Sequence, residues 1–186
     1  MRSIIFASLL ITGCSESVGL EPAKNSDIEC PFQFSPEPVC SYKTDKYSVK
    51  VSLTTKQLAN DEIALTHAKV TFNEQQHVLV LVLVLLLVLS PDVSMVKDDI
   101  GIISLADINF DNLPDIAVST SFGVANQYFD YWVYDPKDKN YRSIGNYPKL
   151  SANPTNKSLS ANVKQNAATY LTQKFFWDGG KLIQKK

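Results

Sequence analysis

The segment Tyr128-Phe-Asp-Tyr-Trp-Val-Tyr134 is the clearest indicator of the fold, because large aromatic side chains occupy both odd and even positions. Successive side chains of a β-strand point to opposite faces of a sheet, so this segment is apolar on both faces. Such a strand is typical of the middle of a sheet that is covered on both sides. We therefore predict a buried central strand here.

Other segments indicate the same fold class. Residues Tyr47 to Leu53 alternate apolar and polar side chains, as a half-buried strand does. Leu159 to Lys164 and Tyr170 to Trp177 predict a hairpin, and Asp178-Gly179-Gly180 is a tight-turn signal before a last strand. The sequence therefore predicts an all-β domain, either a two-sheet antiparallel β-sandwich or a small barrel or propeller-like domain.

The run from Val78 to Leu89 contains only Val and Leu. As a helix it would be about 18 Å long, too short for a bilayer, and its Val content favours a strand. A strand that is apolar on both faces either lies centrally or leaves part of itself exposed, and it has the composition of an aggregation-prone segment. The Leu-Val repetition is of low complexity and indicates a local expansion or a sequence oddity rather than a functional device, and a membrane contact is the alternative.

Three connecting regions carry weaker signals. Thr55 to His67 is consistent with one helical turn or a loop, and Asn73 to Gln76 with a turn. Asn146 to Asn156 contains two prolines and is expected to be a loop.

The segment Asp107-Ile-Asn-Phe-Asp-Asn-Leu-Pro-Asp115 lies between two predicted strands and places oxygen-bearing side chains at positions 1, 3, 5 and 9. Calcium takes six to eight oxygen ligands, and a loop of alternating side chains with one carbonyl is able to wrap it. The candidate Ca²⁺ ligands are Asp107, Asn109, Asp111, the carbonyl of Leu113, and Asp115 directly or through water.

This segment differs from an EF-hand loop. Asn112 stands where the EF-hand has Gly, although Asn is the non-glycine residue that best tolerates left-handed backbone. Val118 stands where the EF-hand has a bidentate Glu. The alternative is a turn in which Asp and Asn cap the backbone without an ion. Three unpaired carboxylates so close together would repel one another, which favours the calcium site.

The N-terminus has the pattern of a secretory signal: one basic residue, a short apolar run, and small residues before Cys14. The segment Ile11-Thr12-Gly13-Cys14 resembles the bacterial lipobox, in which the cysteine becomes the lipidated first residue. This resemblance predicts a signal peptide over 1–13, a lipidated Cys14 with a tether over 14–27, and a single β domain over 28–186. Because Ser15 follows the cysteine, the resemblance implies an outer-membrane, periplasm-facing protein. An ordinary cleaved signal peptide is the alternative.

Charge and cysteine content exclude some function classes. Removing the signal with its single Arg leaves 18 − 1 = 17 Lys+Arg against 19 Asp+Glu, which gives no electrostatic footprint for nucleic acid. Cys30 and Cys40 are expected to form a disulfide in an oxidising compartment. No G-x-S-x-G, H-E-x-x-H, P-loop or dinucleotide motif is present in the sequence, so we do not expect an enzyme.

From about Ile100 to Leu182 the motifs D-I-N-F-D-N-L-P-D-I, Y-F-D-Y-W-V-Y-D and W-D-G-G-K-L resemble one group of bacterial envelope proteins. These are the calcium-binding immunity proteins linked to type IV secretion systems, which are similar in fold to periplasmic inhibitors of invertebrate-type lysozyme. Asn112 and Leu113 stand where the family has Gly and Tyr. The resemblance implies a two-sheet β domain that blocks the cleft of a peptidoglycan hydrolase or lysozyme-like toxin.

Such an inhibitor needs a protruding loop with small residues and hydrogen-bond donors. The segment from Ser119 to Tyr128 fits this description, and we expect the neighbouring calcium ion to stiffen its base. Its candidate contact residues are Ser119, Thr120, Ser121, Gly123, Asn126 and Tyr128. The alternatives are an unpartnered connecting loop and, for the whole protein, a structural or adhesive envelope lipoprotein that uses calcium only for folding.

Overall fold

The computed structural model describes residues 27–35, 37–76 and 79–185. The predicted signal peptide, the lipidation site Cys14 and all of the tether except Asp27 lie outside the described residues. The described part is all-β, and it contains no helix long and apolar enough to cross a membrane. Its strands are β1 Ile28–Phe32, β2 Val39–Lys43, β3 Tyr47–Ala59, β4 Glu62–Gln76, β5 Leu79–Val88, β6 Ser94–Val96, β7 Gly101–Ala106, β8 Asp115–Ser119, β9 Tyr128–Asp135, β10 Asn140–Pro148, β11 Ser151–Asn153, β12 Ser158–Lys164, β13 Tyr170–Asp178 and β14 Lys181–Lys185.

These strands form three antiparallel sheets, none of which closes into a barrel. The central sheet has the order β1-β7-β8-β9-β10. The back sheet has the order β2-β3-β4-β5, and β6 pairs with β4. The C-terminal sheet has the order β11-β12-β13-β14. The predicted sandwich is confirmed as a fold class, and a third sheet is added to the two that were expected.

Two hydrophobic clusters hold the three sheets together, one on each face of the central sheet. The first lies between the central and back sheets, where Trp132 and Tyr134 of β9 pack with residues such as Phe72 of β4. The second lies against the opposite face of the central sheet, where Phe129, Tyr131 and Val133 join a cluster with Leu159 and Phe175 of the C-terminal sheet. Both faces of β9 are therefore covered, which confirms the prediction of a buried central strand that is apolar on both faces.

The predicted disulfide between Cys30 and Cys40 is present. It joins β1 of the central sheet to β2 of the back sheet. On the chain-entropy view, closing a loop of this size stabilises the fold by roughly 2–3 kcal/mol. The covalent link therefore holds two sheets together at the point where the chain passes between them.

Three local predictions were wrong. Residues 55–67 contain neither a helical turn nor an extended loop, because β3 and β4 continue through them as one long hairpin with two register shifts. Residues 73–76 belong to β4 rather than to a turn. Part of 146–156 is also extended, since β10 runs to Pro148 and β11 spans Ser151–Asn153. Tertiary pairing overrides local propensity in all three places.

The C-terminal hairpins follow the prediction. Strands β12 and β13 pair from Ser158 with Phe176 to Lys164 with Tyr170. Gly179 and Gly180 have φ values of 52° and 78°, as a type I′ hairpin turn requires at both central positions.

Candidate functional site

The candidate metal loop connects β7 to β8, and its polar side chains form hydrogen bonds within the loop itself. The Asp107 carboxylate accepts hydrogen bonds from the backbone N–H groups of Asp111 at 3.0 Å and Asn112 at 2.8 Å. Asn109 Oδ1 accepts from the same Asp111 N–H at 3.1 Å, and Asn109 Nδ2 donates to Asp111 Oδ2 at 2.9 Å. The structure therefore brings Asp107, Asn109 and Asp111 together inside one loop.

Two residues give this loop its curvature. Asn112 has a φ of 66°, so the left-handed conformation expected at this position is present. Phe110 has a φ of 64°, which the sequence did not suggest, because bulky residues rarely adopt such backbone. Its ring packs against the second hydrophobic cluster, and this burial compensates for the strain.

Asp115 anchors the loop through hydrogen bonds to its backbone. Its side chain is only 2% exposed. Oδ2 accepts from the N–H groups of Ile108 at 3.0 Å and Asn109 at 3.2 Å, and Oδ1 accepts from Tyr134 N–H at 2.9 Å. Burial raises the pKa of this carboxyl well above its ordinary value, although the backbone donors act in the opposite direction. In this arrangement Asp115 ties the metal loop to β9.

Two aromatic residues from distant strands also hold the loop. Trp177 Nε1–H donates to the carbonyl of Ile108 at 2.7 Å, and the Tyr141 hydroxyl donates to the carbonyl of Pro114 at 2.9 Å. Sequence reasoning identified Trp177 only as part of a motif and gave Tyr141 no role at the site. Their contribution depends on tertiary packing, which a local pattern does not reveal.

The loop places two carboxylates close together without a cationic side chain beside them in the described part of the chain. Burial raises the pKa of Asp111 and repulsion from Asp107 adds to this rise, whereas hydrogen bonds from Leu113 N–H and Asn109 Nδ2 lower it. In the described ranges the only salt bridge joins Lys149 to Glu29, so neither loop carboxylate has a cationic side-chain partner there. In the same ranges no three Asp, Glu, His or Cys side chains form a metal-ligand group. The donor set is instead two carboxylates and one amide, which are hard oxygen ligands that fit Ca²⁺.

The candidate partner loop, residues 120–127, connects β8 to β9 and is held by its own side chains. Ser121 Oγ accepts from Tyr128 N–H at 2.8 Å and donates to the carbonyl of Asn126 at 3.2 Å. Asn126 makes two bonds with Lys164 at the end of β12, one in each direction, at 3.0 and 2.7 Å. Ser121 and Asn126 therefore fix the shape of the loop.

The exposed part of this loop is its tip. Gly123, Val124 and Ala125 are exposed, and Val124 retains 57% of its accessible surface. Gly123 has a φ of 63°, which a residue with a side chain rarely adopts. Thr120 and Tyr128 are partly buried. Ser119 is 1% exposed, and its Oγ accepts from Ile102 N–H at 2.8 Å, so its hydroxyl belongs to the sheet.

Strand β9, which follows this loop, contains a buried carboxylate, Asp130, that sequence reasoning missed. Asp130 accepts hydrogen bonds from the N–H and the hydroxyl of Ser90, both at 2.6 Å, and from Asn146 Nδ2 at 2.9 Å. Asn146 Nδ2 also lies 2.9 Å from Thr120 Oγ1. The signal for this network was the one acidic residue in the middle of the apolar segment from Tyr128 to Tyr134.

The two loops do not adjoin each other. The metal loop precedes Asp115 at one end of β8, and the partner loop follows Ser119 at the other end. A five-residue strand separates its terminal Cα atoms by about 13 Å. The expectation that the ion lies next to the base of the partner loop is therefore wrong, because the length of β8 separates the two loops.

The comparisons with known proteins gave no match, whether with family models, with curated proteins or with solved structures.

Proposed function

We propose that this protein is a calcium-binding envelope lipoprotein that inhibits a peptidoglycan hydrolase by inserting the tip of the partner loop into its cleft. The observation that carries the proposal is the exposed Gly123-Val124-Ala125 tip on a loop held by Ser121 and Asn126. The resemblance of the motifs between Ile100 and Leu182 to immunity proteins and lysozyme inhibitors supplies the partner class.

The shape of the loop is suited to this role. A loop whose conformation is fixed before binding loses little entropy when a partner closes around it. Small side chains at the tip allow close backbone approach, and the N–H groups of 123–125 are donors of the kind that meets the carboxylates of a glycosidase cleft. The half-buried Tyr128 at the base belongs to a residue type that is common at binding hot spots.

In this proposal Ca²⁺ has a structural role. Asp107, Asn109 and Asp111 would hold the ion with the carbonyl of Leu113, and Asp115 would position the loop from below. The ion would neutralise the repulsion between the two loop carboxylates and so stabilise the connection between β7 and β8. Because the partner loop lies at the other end of β8, the ion makes no contact with the inhibited enzyme.

A turbidity assay tests the proposal. Purified protein is titrated into a panel of lysozymes and other peptidoglycan hydrolases acting on cell walls. We expect inhibition of at least one enzyme, and loss of that inhibition for Val124→Arg, whose long charged side chain obstructs the tip. No inhibition of any enzyme at micromolar protein would contradict the proposal.

Ile183→Arg is the matched control, because Ile183 is also an exposed β-branched residue. Ile183 pairs with Phe176, and Phe176 pairs with Ser158 of β12. Ser158 lies six residues along β12 from Lys164, the residue that contacts the partner loop. Ile183 is therefore about 20 Å from the level of that loop along the strand direction. This variant should inhibit as the unmodified protein does. Equal loss of inhibition in both variants would show that the tip has no special role.

The alternative is a structural or adhesive envelope lipoprotein with a purely structural calcium site. The separation of the metal loop from the partner loop favours this alternative, since calcium then has no bearing on a binding surface. It predicts calcium-dependent melting without inhibition of any hydrolase and without recovery of a hydrolase from periplasmic extract.

A further inference from the structure

Strand β5 is an edge strand composed only of Val and Leu. Residues Leu79–Val88 pair with Gln76 to His67 of β4, and within the described ranges β5 pairs with no other strand. Proteins usually protect such edges with charged residues, prolines or bulges. Strand β5 contains no charge and no proline, and its register with β4 has no shift. Among the described residues, none of these devices protects this apolar edge.

The open side of β5 carries backbone hydrogen-bonding groups. Leu89 N–H donates to the carbonyl of Thr66 at 3.2 Å, in the same register that pairs Val88 with His67. Bonded and non-bonded pairs alternate in an antiparallel ladder, so Leu86 and Val88 direct their N–H and C=O groups away from β4. Their side chains are also 62% and 67% exposed. The same residues thus offer apolar surface and backbone groups to an added strand.

We propose that a second copy of this chain occupies this edge. The two β5 strands would pair antiparallel about a two-fold axis and join both back sheets into one continuous sheet. Antiparallel pairing about a two-fold axis is an isologous contact, and because β5 contains only Val and Leu, its apolar side chains meet apolar side chains there without like-charge repulsion. A charged peptide would instead place its charges beside apolar side chains.

The charges next to β5 allow this pairing. Lys69 of β4 is exposed and pairs with Leu86 of β5. In the dimer the two Lys69 residues would be three strand spacings apart, about 14 Å, which exceeds the Debye length of about 8 Å at physiological salt. The proposal does not depend on the inhibitor function.

Sedimentation velocity of the full chain tests the proposal, with Cys14→Ser in every sample to prevent lipidation and with EDTA to exclude metal effects. We expect the average mass to rise with concentration from one chain to a plateau at two. Leu86→Pro should raise the dimer dissociation constant about tenfold or more. Because the Leu86 N–H points away from β4, proline there removes no hydrogen bond within the chain.

Two further variants keep the test sharp. Leu86→Lys with Val88→Lys places charges on the same edge without proline and should weaken the dimer to a similar extent. Leu171→Lys with Ile183→Lys adds the same charge to exposed residues of the C-terminal sheet and should dimerise normally. A monomer at all concentrations would overturn the proposal, as would normal dimers from folded β5 variants. A mass that grows past two chains without a plateau would also overturn it, because it indicates aggregation.

Discussion

Replacing Asp115 with Asn tests whether this carboxylate holds the metal loop as an ionised acceptor. Oδ1 faces one N–H donor, that of Tyr134, and Oδ2 faces two, those of Ile108 and Asn109. An amide retains only one acceptor oxygen. Its less costly orientation places the NH₂ group towards Tyr134, where two buried donors then face each other.

The cost of this change follows from the lost bond. The hydrogen bond from Tyr134 N–H is lost, and both this donor and the new amide NH₂ are left unsatisfied, which costs at least about 1–3 kcal/mol. For a domain of this size each kcal/mol lowers Tm by about 2–4 °C, so we expect a decrease of about 2–12 °C. Thermal unfolding followed by circular dichroism at pH 7.5 in EDTA measures this decrease.

Asp138→Asn is the matched control, because Asp138 is exposed in the turn between β9 and β10 and its replacement removes the same charge. Its Tm should change by less than about 1 °C. An equally small change for Asp115→Asn would refute the reasoning. It would mean that the carboxyl is already protonated in the folded protein, so that the amide merely replaces a neutral acid.

The remaining predictions concern the same loop. Trp177→Phe keeps the ring but removes the donor to the Ile108 carbonyl, and it should cost about 1–3 kcal/mol in denaturant unfolding. Without metal, the free energy of unfolding should fall as pH rises from about 4. The pKa values of Asp111 and Asp115 lie above their ordinary 3.8 in the folded protein, so above this pH the folded protein binds more protons than the unfolded chain. Urea titrations at several pH values measure this slope. Saturating Ca²⁺ at a hundred times its Kd should stabilise the protein by about 2.7 kcal/mol. Asp107→Ala with Asp111→Ala should abolish this gain in a melting experiment.

Much of the fold could be predicted because its signals are local. The alternation in β3, the double-sided apolar pattern of β9 and the two glycines before β14 each specify a strand or a turn without reference to distant residues. The Cys30–Cys40 disulfide was predictable because only two cysteines remain after Cys14.

The remainder depended on contacts between distant segments. The third sheet arises because Leu159 and Phe175 cover the face of β9 that bears Phe129 and Tyr131. The site was partly predictable for the same reason: spacing grouped Asp107, Asn109 and Asp111, but it did not reveal the supports from Trp177 and Tyr141. The burial of Asp130 was also hidden, because its partners are far away in the sequence.

Strand β8 connects the two candidate sites, and its rigidity determines how they influence each other. All five of its residues are buried, and each end fixes neighbouring backbone through a side-chain oxygen, that of Asp115 at one end and that of Ser119 at the other. A buried strand within a close-packed sheet transmits little displacement over about 13 Å. We therefore expect calcium to change the melting temperature while leaving inhibition unchanged wherever the protein is folded.

Inhibition curves in Ca²⁺ and in EDTA test this expectation at a temperature at which both samples have the same circular dichroism spectrum. The hydrolase chosen must itself be insensitive to Ca²⁺, and Asp107→Ala with Asp111→Ala serves as the control for metal binding. Superimposed curves are expected, because the side chains of Ser121 and Asn126 hold the partner loop without the ion. Weaker inhibition in EDTA by a protein that remains folded would mean that β8 transmits a conformational change between its ends, and the rigid-strand interpretation would then fail.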